Sequence, residues 1–428
     1  MAKIFPHIEK FKKLAKLSRK EAYEHYQEIV GNTNYDETQV PEYTIPSPLD
    51  IIPGKRIETA ADWIREGRPA VFRMFQNEMY GRIPPRPDKM EFTQISYRDD
   101  ALDGKAIRKE VRITLSMDNG RRHSFDLLMY APKFALEKPV PAFLGLNFKG
   151  NQATTDEADV RMTGWKALNP ALMQEDNRGS QTHRWHFKQL VERGYAGATI
   201  CYHDIFPDRA TGWSESLLAL FEDLDGFEGP HPHYSSIGVW AYGLSRAMDY
   251  LESDPLIDSS RVAMHGHSRL GKTALWAGAC DRRFRIVISN CSGCGGAALS
   301  RRWYGETYTY IANVMPHWFV EPFRKYIGNE DTMPFDQNEL IALSAPRAVA
   351  VASATEDQWA DPKGEFIAAK AAEEVYALFG SKGLPASEHP APDTYVTGDI
   401  SYHLRTGKHD QTPFDWEHYI QLADIYLK

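Results

Sequence analysis

The feature that most constrains this chain is a change of pattern near residue 140. Before it, three short strand-like runs follow one another: Phe92 to Tyr97, Lys109 to Ser116 and Ser124 to Tyr130. Asn119-Gly120 separates the second from the third, so this stretch predicts an antiparallel opening to a sheet. After it, strands and helices alternate. Pro141 to Phe148 reads as a buried strand, His186 to Arg193 as a short helix closed by Gly194, and Ala196 to Tyr202 as the next strand. Trp240, Leu244, Met248 and Leu251 share one face of a helix predicted over Ile237 to Leu251. Next come a strand at Arg261 to His265, a helix from about Leu270 to Cys280 and a strand at Arg285 to Asn290. A strand at Arg347 to Ala354 and a helix at Phe366 to Phe379 follow later. Alternation of this kind predicts a mostly parallel sheet covered by helices on both faces.

Ahead of the strands, helical spacing runs over Ile8 to Val30 and from about Ala60 to Tyr80, with proline-rich chain between. No internal repeat, low-complexity tract or linker divides the 428 residues. Residues 1–130 are therefore expected to form a helical and β extension packed on a core of residues 131–428, within one structural domain. The net charge of −8 disfavours nucleic acid and anionic membranes, which both need clustered positive charge. The basic run near Lys10 to Lys20 reads as the solvated face of a helix. No apolar run approaches the roughly 20 residues of a membrane span, and no signal-peptide core follows Met1. Four cysteines in so long a chain make no disulfide framework, and Cys291-x-x-Cys294 lacks the second pair of a zinc site. The histidines show no ligand spacing, so no metal is expected.

The most informative run is Arg261 to Leu275: a strand, a tight turn at Gly266-His267-Ser268-Arg269, and a helix. Two chemistries compete for it. Gly266 with Gly271-Lys272-Thr273 satisfies the P-loop pattern, in which backbone amides cradle phosphate. Gly266-His267-Ser268 followed by Gly271 also fits a nucleophile elbow, where small neighbours let the backbone bend sharply under an exposed serine. Leu270 stands where the common elbow has glycine. The rest of the chain favours the elbow. Ser268 is followed by the acids Glu356 and Asp357 after a strand, then by His409 in a polar loop. Serine, acid, histidine is the chain order of α/β-hydrolases, whose mostly parallel sheet lies inside a three-layer αβα sandwich. His403, six residues before His409, is the rival base.

Around this core, Gly266-x-Ser268-Arg269-x-Gly271-Lys272 resembles the nucleophile motif of the glucuronoyl esterases, carbohydrate esterase family 15. Further matching segments are Leu146 to Asn151, Ser292 to Ala297, Asp357 to Pro362, Gly407 to Asp410 and Phe414 to Trp416, together spanning about two thirds of the chain. The resemblance implies Ser268 as nucleophile, His409 as general base and Arg269 as a holder of the oxyanion. It implies Lys272, Glu306 and Trp359 as contacts to a glucuronoyl sugar, the indole covering an apolar face of the ring. One position departs from the pattern. Many members carry the triad's glutamate just before the Ser-Gly-x-Gly-Gly run, where this chain has Cys291. Other members use an acid after the later strand, and Asp357 matches that place, with Glu356 as the fallback.

The implied reaction is hydrolysis of esters of (4-O-methyl-)glucuronic acid, as in xylan–lignin linkages, through an acyl-enzyme and without a cofactor. Acetyl xylan esterase chemistry on the same triad is the nearest alternative. A catalytically weakened, carbohydrate-binding hydrolase relative is another, supported by Cys291, and a P-loop nucleotide hydrolase is the third. The expected partner is the glucuronoylated xylan or lignin–carbohydrate ester itself, with no nucleic acid or membrane, and the expected state is a monomer. Family resemblance suggests a secreted or periplasmic enzyme with its leader removed.

Overall fold

Ten strands form one sheet in the order β1-β2-β3-β5-β4-β6-β7-β8-β10-β9. They are β1 (Lys89–Asp100), β2 (Ala106–Ser116), β3 (Arg122–Pro132), β4 (Val140–Asn147) and β5 (Ala196–Cys201), then β6 (Ile257–His267), β7 (Phe284–Asn290), β8 (Ala348–Ala354), β9 (Thr394–Val396) and β10 (Ile400–Arg405). The computed structural model describes residues 28, 31–164 and 177–428. The helix expected over Ile8 to Val30 lies outside the described residues, Glu28 apart. β1, β2 and β3 pair antiparallel, and β3 joins β5 antiparallel, so the opening strands continue the same sheet. From β5 through β4, β6, β7 and β8 to β10 every pairing is parallel. This is the expected α/β-hydrolase arrangement.

Successive residues of a strand face opposite sides, and the central strands use this to serve two cores. Val262 and Met264 of β6, Val287 of β7, and Val349 and Val351 of β8 face one apolar cluster with Leu244, Met248, Leu275 and Trp276. Ala263, Ile286, Ile288, Ala348, Ala350 and Ala352 face the other, with Phe143, Trp416, Tyr419 and Ile420. Alanine dominates that face of β8 because the large rings of the last helix fill the space above it. Each large apolar side chain buried in these layers contributes about 1.5–3 kcal/mol.

The helices that complete the layers are α1 (Arg68–Phe75), α2 (Phe187–Glu192), α3 (Ser236–Ser253), α4 (Arg269–Cys280), α5 (Pro362–Ala371), α6 (Glu373–Leu378) and α7 (Pro413–Tyr426). α3 is buried nearly all round, beyond the single apolar face its sequence suggests. The chain after β5 covers its outer side, with Trp240 Nε1 donating to Phe206 O at 2.9 Å. α1 and the π-helical turns flanking it fill the predicted span from Ala60 to Tyr80. Arg68 donates to Ala279 O and Leu343 O, and Tyr80 Oη donates to Gly295 O, tying this segment to the core. No helix among the described residues is long and apolar enough to cross a membrane.

The neighbouring parallel strands β6, β7, β8 and β10 all point their carboxyl ends to one edge of the sheet. The loops leaving those ends carry Ser268, Cys291, Asp357 and His409. Open parallel sheets place their ligand sites at that edge.

Candidate active site

β6 ends at His267 and α4 begins at Arg269, so a single residue makes the turn. Ser268 takes it with φ +58° and ψ −130°, a conformation that non-glycine residues seldom hold. The glycines make the turn sterically possible. A Cβ on Gly266 would lie 1.9 Å from Leu270 O, whereas one on Gly271 would meet Ser292 Cβ at 3.0 Å. Leu270, where a glycine is common, packs its side chain into the core instead. One residue between strand and helix leaves no loop to wrap a phosphate, which removes the P-loop reading. Arg269 and Leu270 open α4, and their N–H groups belong to the first turn, which a helix leaves without intrahelical acceptors.

His409 Nδ1 donates to Asp357 Oδ2 at 2.6 Å. The carboxylate is 4% exposed, while the imidazole side chain is 40% exposed. With its proton on Nδ1, the ring presents the Nε2 lone pair, as a general base must. Glu356 is exposed and contributes only its backbone N–H, to Gly407 O, so the geometry selects Asp357 over it. His403, the rival base, is buried and bonded through Nε2 to Asp415 at 2.7 Å, so its ring is engaged away from Asp357. Arg405 shapes the loop: one of its nitrogens donates to Lys408 O and Asp410 O, on either side of His409, and its Nε donates to Asp415. Arg184 holds the Asp410 carboxylate from outside. His267 lies 4.5 Å from His409 between ring centroids. Burial holds His267 well below the usual histidine range.

Arg269 forms an ion pair with Asp208 and lies over the Trp318 ring, 4.8 Å from its centroid. Asp208 also accepts from Tyr202 Oη at 2.9 Å and from His317 Nε2 and Trp318 Nε1 at 2.8 Å. Burial alone would raise this carboxyl, but the Arg269 charge and the His317 and Trp318 donors hold it well below the usual carboxylate range. The guanidinium is thereby fixed beside Ser268. A donor held in place before charge develops needs no reorganisation as it does.

Lys272, Glu306 and Trp359 form a chain of contacts. Lys272 Nζ donates to Ser292 O at 2.7 Å, Cys294 O at 2.6 Å and Glu306 Oε2 at 2.9 Å. An ammonium has three donors, so all are placed on protein acceptors. Glu306 Oε1 accepts from Trp359 Nε1 at 3.1 Å, and Glu306 N donates to Trp359 O. Gly305 makes this approach possible, since a Cβ there would lie 2.4 Å from Trp359 O. Lys272 therefore anchors Glu306, and Glu306 orients the indole.

Ser268, Arg269, Lys272, Glu306, Asp357, Trp359 and His409 all line one cavity of about 300 Å³. Among the described residues no hydrogen bond engages the Ser268 hydroxyl, so it faces the cavity uncommitted. The arrangement can do acyl transfer: a nucleophile on a strained turn, an oriented base, and fixed donors for an oxyanion.

Three participants were not singled out from the sequence. Asp208 lies in an irregular loop, and only the ion-pairing need of an arginine beside the serine hints at it. Arg405 belongs to β10, a strand the hydropathy hides because Ser401, His403 and Arg405 alternate with Ile400, Tyr402 and Leu404. Glu365 is wholly buried on α5 and accepts from Ser292 N, Gly293 N and Ser353 Oγ, bracing the turn after Cys291. Burial, with the nearby Asp357 charge adding to it, pushes Glu365 up to about 8. Cys291 holds φ +46° and donates its thiol toward Asp410 O at 3.9 Å, and burial pushes that thiol up.

Comparison with known proteins places these features. The family model described as "Glucuronyl esterase, fungi" matches residues 229–380. The carbohydrate esterase MZ0003, from an unknown prokaryotic organism, is 45% identical over 401 residues, covering 92% of each chain. A solved structure of a promiscuous CE15 esterase from a marine bacterial metagenome superposes with a TM-score of 0.84 at 44% identity, over 92% of this chain and 100% of that one. A glucuronoyl esterase from Solibacter usitatus superposes with a TM-score of 0.86 at 41% identity, with the same coverage. By sequence along nearly its whole length and by fold, the chain belongs to carbohydrate esterase family 15, the glucuronoyl esterases.

Proposed function

We propose that this enzyme hydrolyses esters of 4-O-methyl-glucuronic acid through Ser268, and that Asp357 is the acid of its triad. The observation that carries the reading is one cavity lined by Ser268, His409, Asp357 and Arg269 together with the Lys272–Glu306–Trp359 wall. His409 Nε2 takes the Ser268 proton as Oγ attacks the ester carbonyl. Arg269, held by Asp208, and the first amides of α4 stabilise the oxyanion. The imidazolium, stabilised by Asp357, then gives its proton to the leaving alcohol, and water repeats the sequence to release the uronate. The indole of Trp359 covers a sugar face, and Glu306 accepts from ring hydroxyls, while Lys272 holds Glu306 in place. The Solibacter usitatus protein is a glucuronoyl esterase, which supports the same substrate class here. Polymeric xylan lies outside cells, so the reading carries with it secretion or residence in the periplasm.

Hydrolysis of benzyl glucuronate beside an acetylated xylan control, with wild type and Ser268→Ala, tests the proposal. Glucuronate cleavage that disappears in Ser268→Ala is the expected result. Release of acetate without glucuronate cleavage would overturn the substrate assignment and leave the triad standing.

A further inference from the structure

The position that departs from the family pattern puts a thiol beside the acid and the histidine of the candidate site. Cys291, Asp357 and His409 each offer one metal-ligand atom, and these atoms all lie within 4.8 Å of one another. A thiol, a carboxylate and an imidazole are the ligand types that bind Zn²⁺, and three protein ligands with an open fourth position are typical of accessible zinc sites. A glutamate at residue 291 would supply a hard oxygen; the sulfur makes the set suited to a thiophilic ion. All three residues line the active-site cavity, which gives an ion a route to the buried sulfur. The charges felt at Cys291 at neutral pH come from Asp357 and Asp415, against Arg405.

We infer that Cys291, Asp357 and His409 form a binding site for a thiophilic divalent cation, Zn²⁺ in the first place, and that its occupation reversibly switches off the esterase. The inhibition, though not the binding, rests on His409 being the general base. On binding, Cys291 loses its thiol proton to solvent and becomes a thiolate. His409 gives the ion its Nδ1 lone pair, so its proton moves from Nδ1 to Nε2. Asp357 exchanges its hydrogen bond for a bond to the metal. One proton is released, and the two anionic ligands neutralise the 2+ charge. The imidazole then carries hydrogen on Nε2 and has no lone pair left for the Ser268 proton. The geometry requires a small adjustment. Tetrahedral zinc with bonds of about 2.0–2.1 Å separates nitrogen and oxygen ligands by about 3.3 Å, against the 2.6 Å between His409 Nδ1 and Asp357 Oδ2. The exposed His409 side chain has room to supply that movement.

The test uses chelator-treated enzyme as wild type, Cys291→Ala and the more conservative Cys291→Ser. Each is titrated with Zn²⁺ for hydrolysis, relative to its own metal-free rate, and with Co²⁺ for absorbance. Wild type is expected to lose activity with Zn²⁺ and regain it with chelator. Both variants should need at least about tenfold more Zn²⁺ for half-inhibition, as loss of a ligand weakens a site at least as much as loss of a ligand's support. Co²⁺ should give wild type a near-ultraviolet sulfur-to-metal charge-transfer band that both variants lack. That band reads the site even if the esterase assignment fails. Equal inhibition of all three proteins, or Co²⁺ bound to wild type without the thiolate band, would overturn the inference.

Discussion

Asp357 and His409 meet through a 2.6 Å hydrogen bond although 52 residues separate them in the chain. β8 and β10 are parallel neighbours, and this adjacency brings the loop after each strand to the same point. The carboxylate that meets His409 thereby comes from the β8 loop, while the β7 loop presents Cys291.

Asp357→Asn should keep the side chain's shape and lose the charge that orients and stabilises the imidazolium. A fall in kcat of about a thousandfold or more is expected, by analogy with serine triads. Glu356→Gln should stay within about twofold of wild type, since side chains outside the constellation contribute little. Steady-state kinetics on one glucuronate ester would decide this, and a larger loss in Glu356→Gln would reverse the assignment.

The Arg269–Asp208 pair predicts an asymmetry. Arg269→Ala should lower kcat by about 10²–10³, the usual effect of losing an oxyanion donor. It leaves Asp208 with its Tyr202, His317 and Trp318 donors, so stability should change less than activity. Asp208→Ala instead removes the acceptor shared by Arg269, Tyr202, His317 and Trp318, leaving several polar groups unpaired at once, and should lower stability more than Arg269→Ala does. Denaturant unfolding of the two variants, read beside kcat, would show whether the order is reversed.

Glu365 predicts a pH dependence of stability with a defined sign. Its folded value of about 8 lies above the ordinary 4.5, so the native state keeps a proton that the unfolded chain has released. Stability from this group is therefore full below about 4.5, falls as pH rises toward 8, and is level beyond. Glu365→Gln cannot titrate. The stability of wild type minus that of the variant should decline steadily from pH 5 to pH 8 in urea titrations; a level difference would show that Glu365 is ionised throughout.

Gly266→Ala should be far more damaging than Gly271→Ala, although both lie in one motif. The first Cβ would sit 1.9 Å from Leu270 O, a backbone atom that cannot move without unwinding the elbow. The second would meet contacts of 3.0–3.2 Å that small shifts relieve. A loss of about 3 kcal/mol or more is expected for the first and less for the second, measured as thermal unfolding.

Much of the candidate site was legible because local geometry wrote it into adjacent residues. A one-residue turn between strand and helix demands glycine at Gly266 and little bulk at Gly271, and that demand shows in the chain itself. The order of serine, acid and histidine was readable too, since Ser268 and Asp357 each follow a predicted strand and His409 lies in a polar loop beyond them. The choice between His409 and His403, or Asp357 and Glu356, was not local. His403 is bound to Asp415 on α7, and Glu356 points to solvent, which only packing decides. Short β10 escaped notice because its buried His403 and Arg405 are paired with Asp415 of the following helix, so its composition does not look like a core strand.

By itself, then, the sequence determined the strand–helix alternation, the elbow and the set of chemical groups available, because periodicity and backbone sterics act over a few residues. Tertiary structure alone decided which acid faces which base, that Lys272 anchors Glu306 inside the wall, and that Asp208 holds Arg269. Those outcomes depend on strand order and on the pairing of buried charges, interactions between residues as far apart as Asp208 and Arg269 that no local pattern encodes.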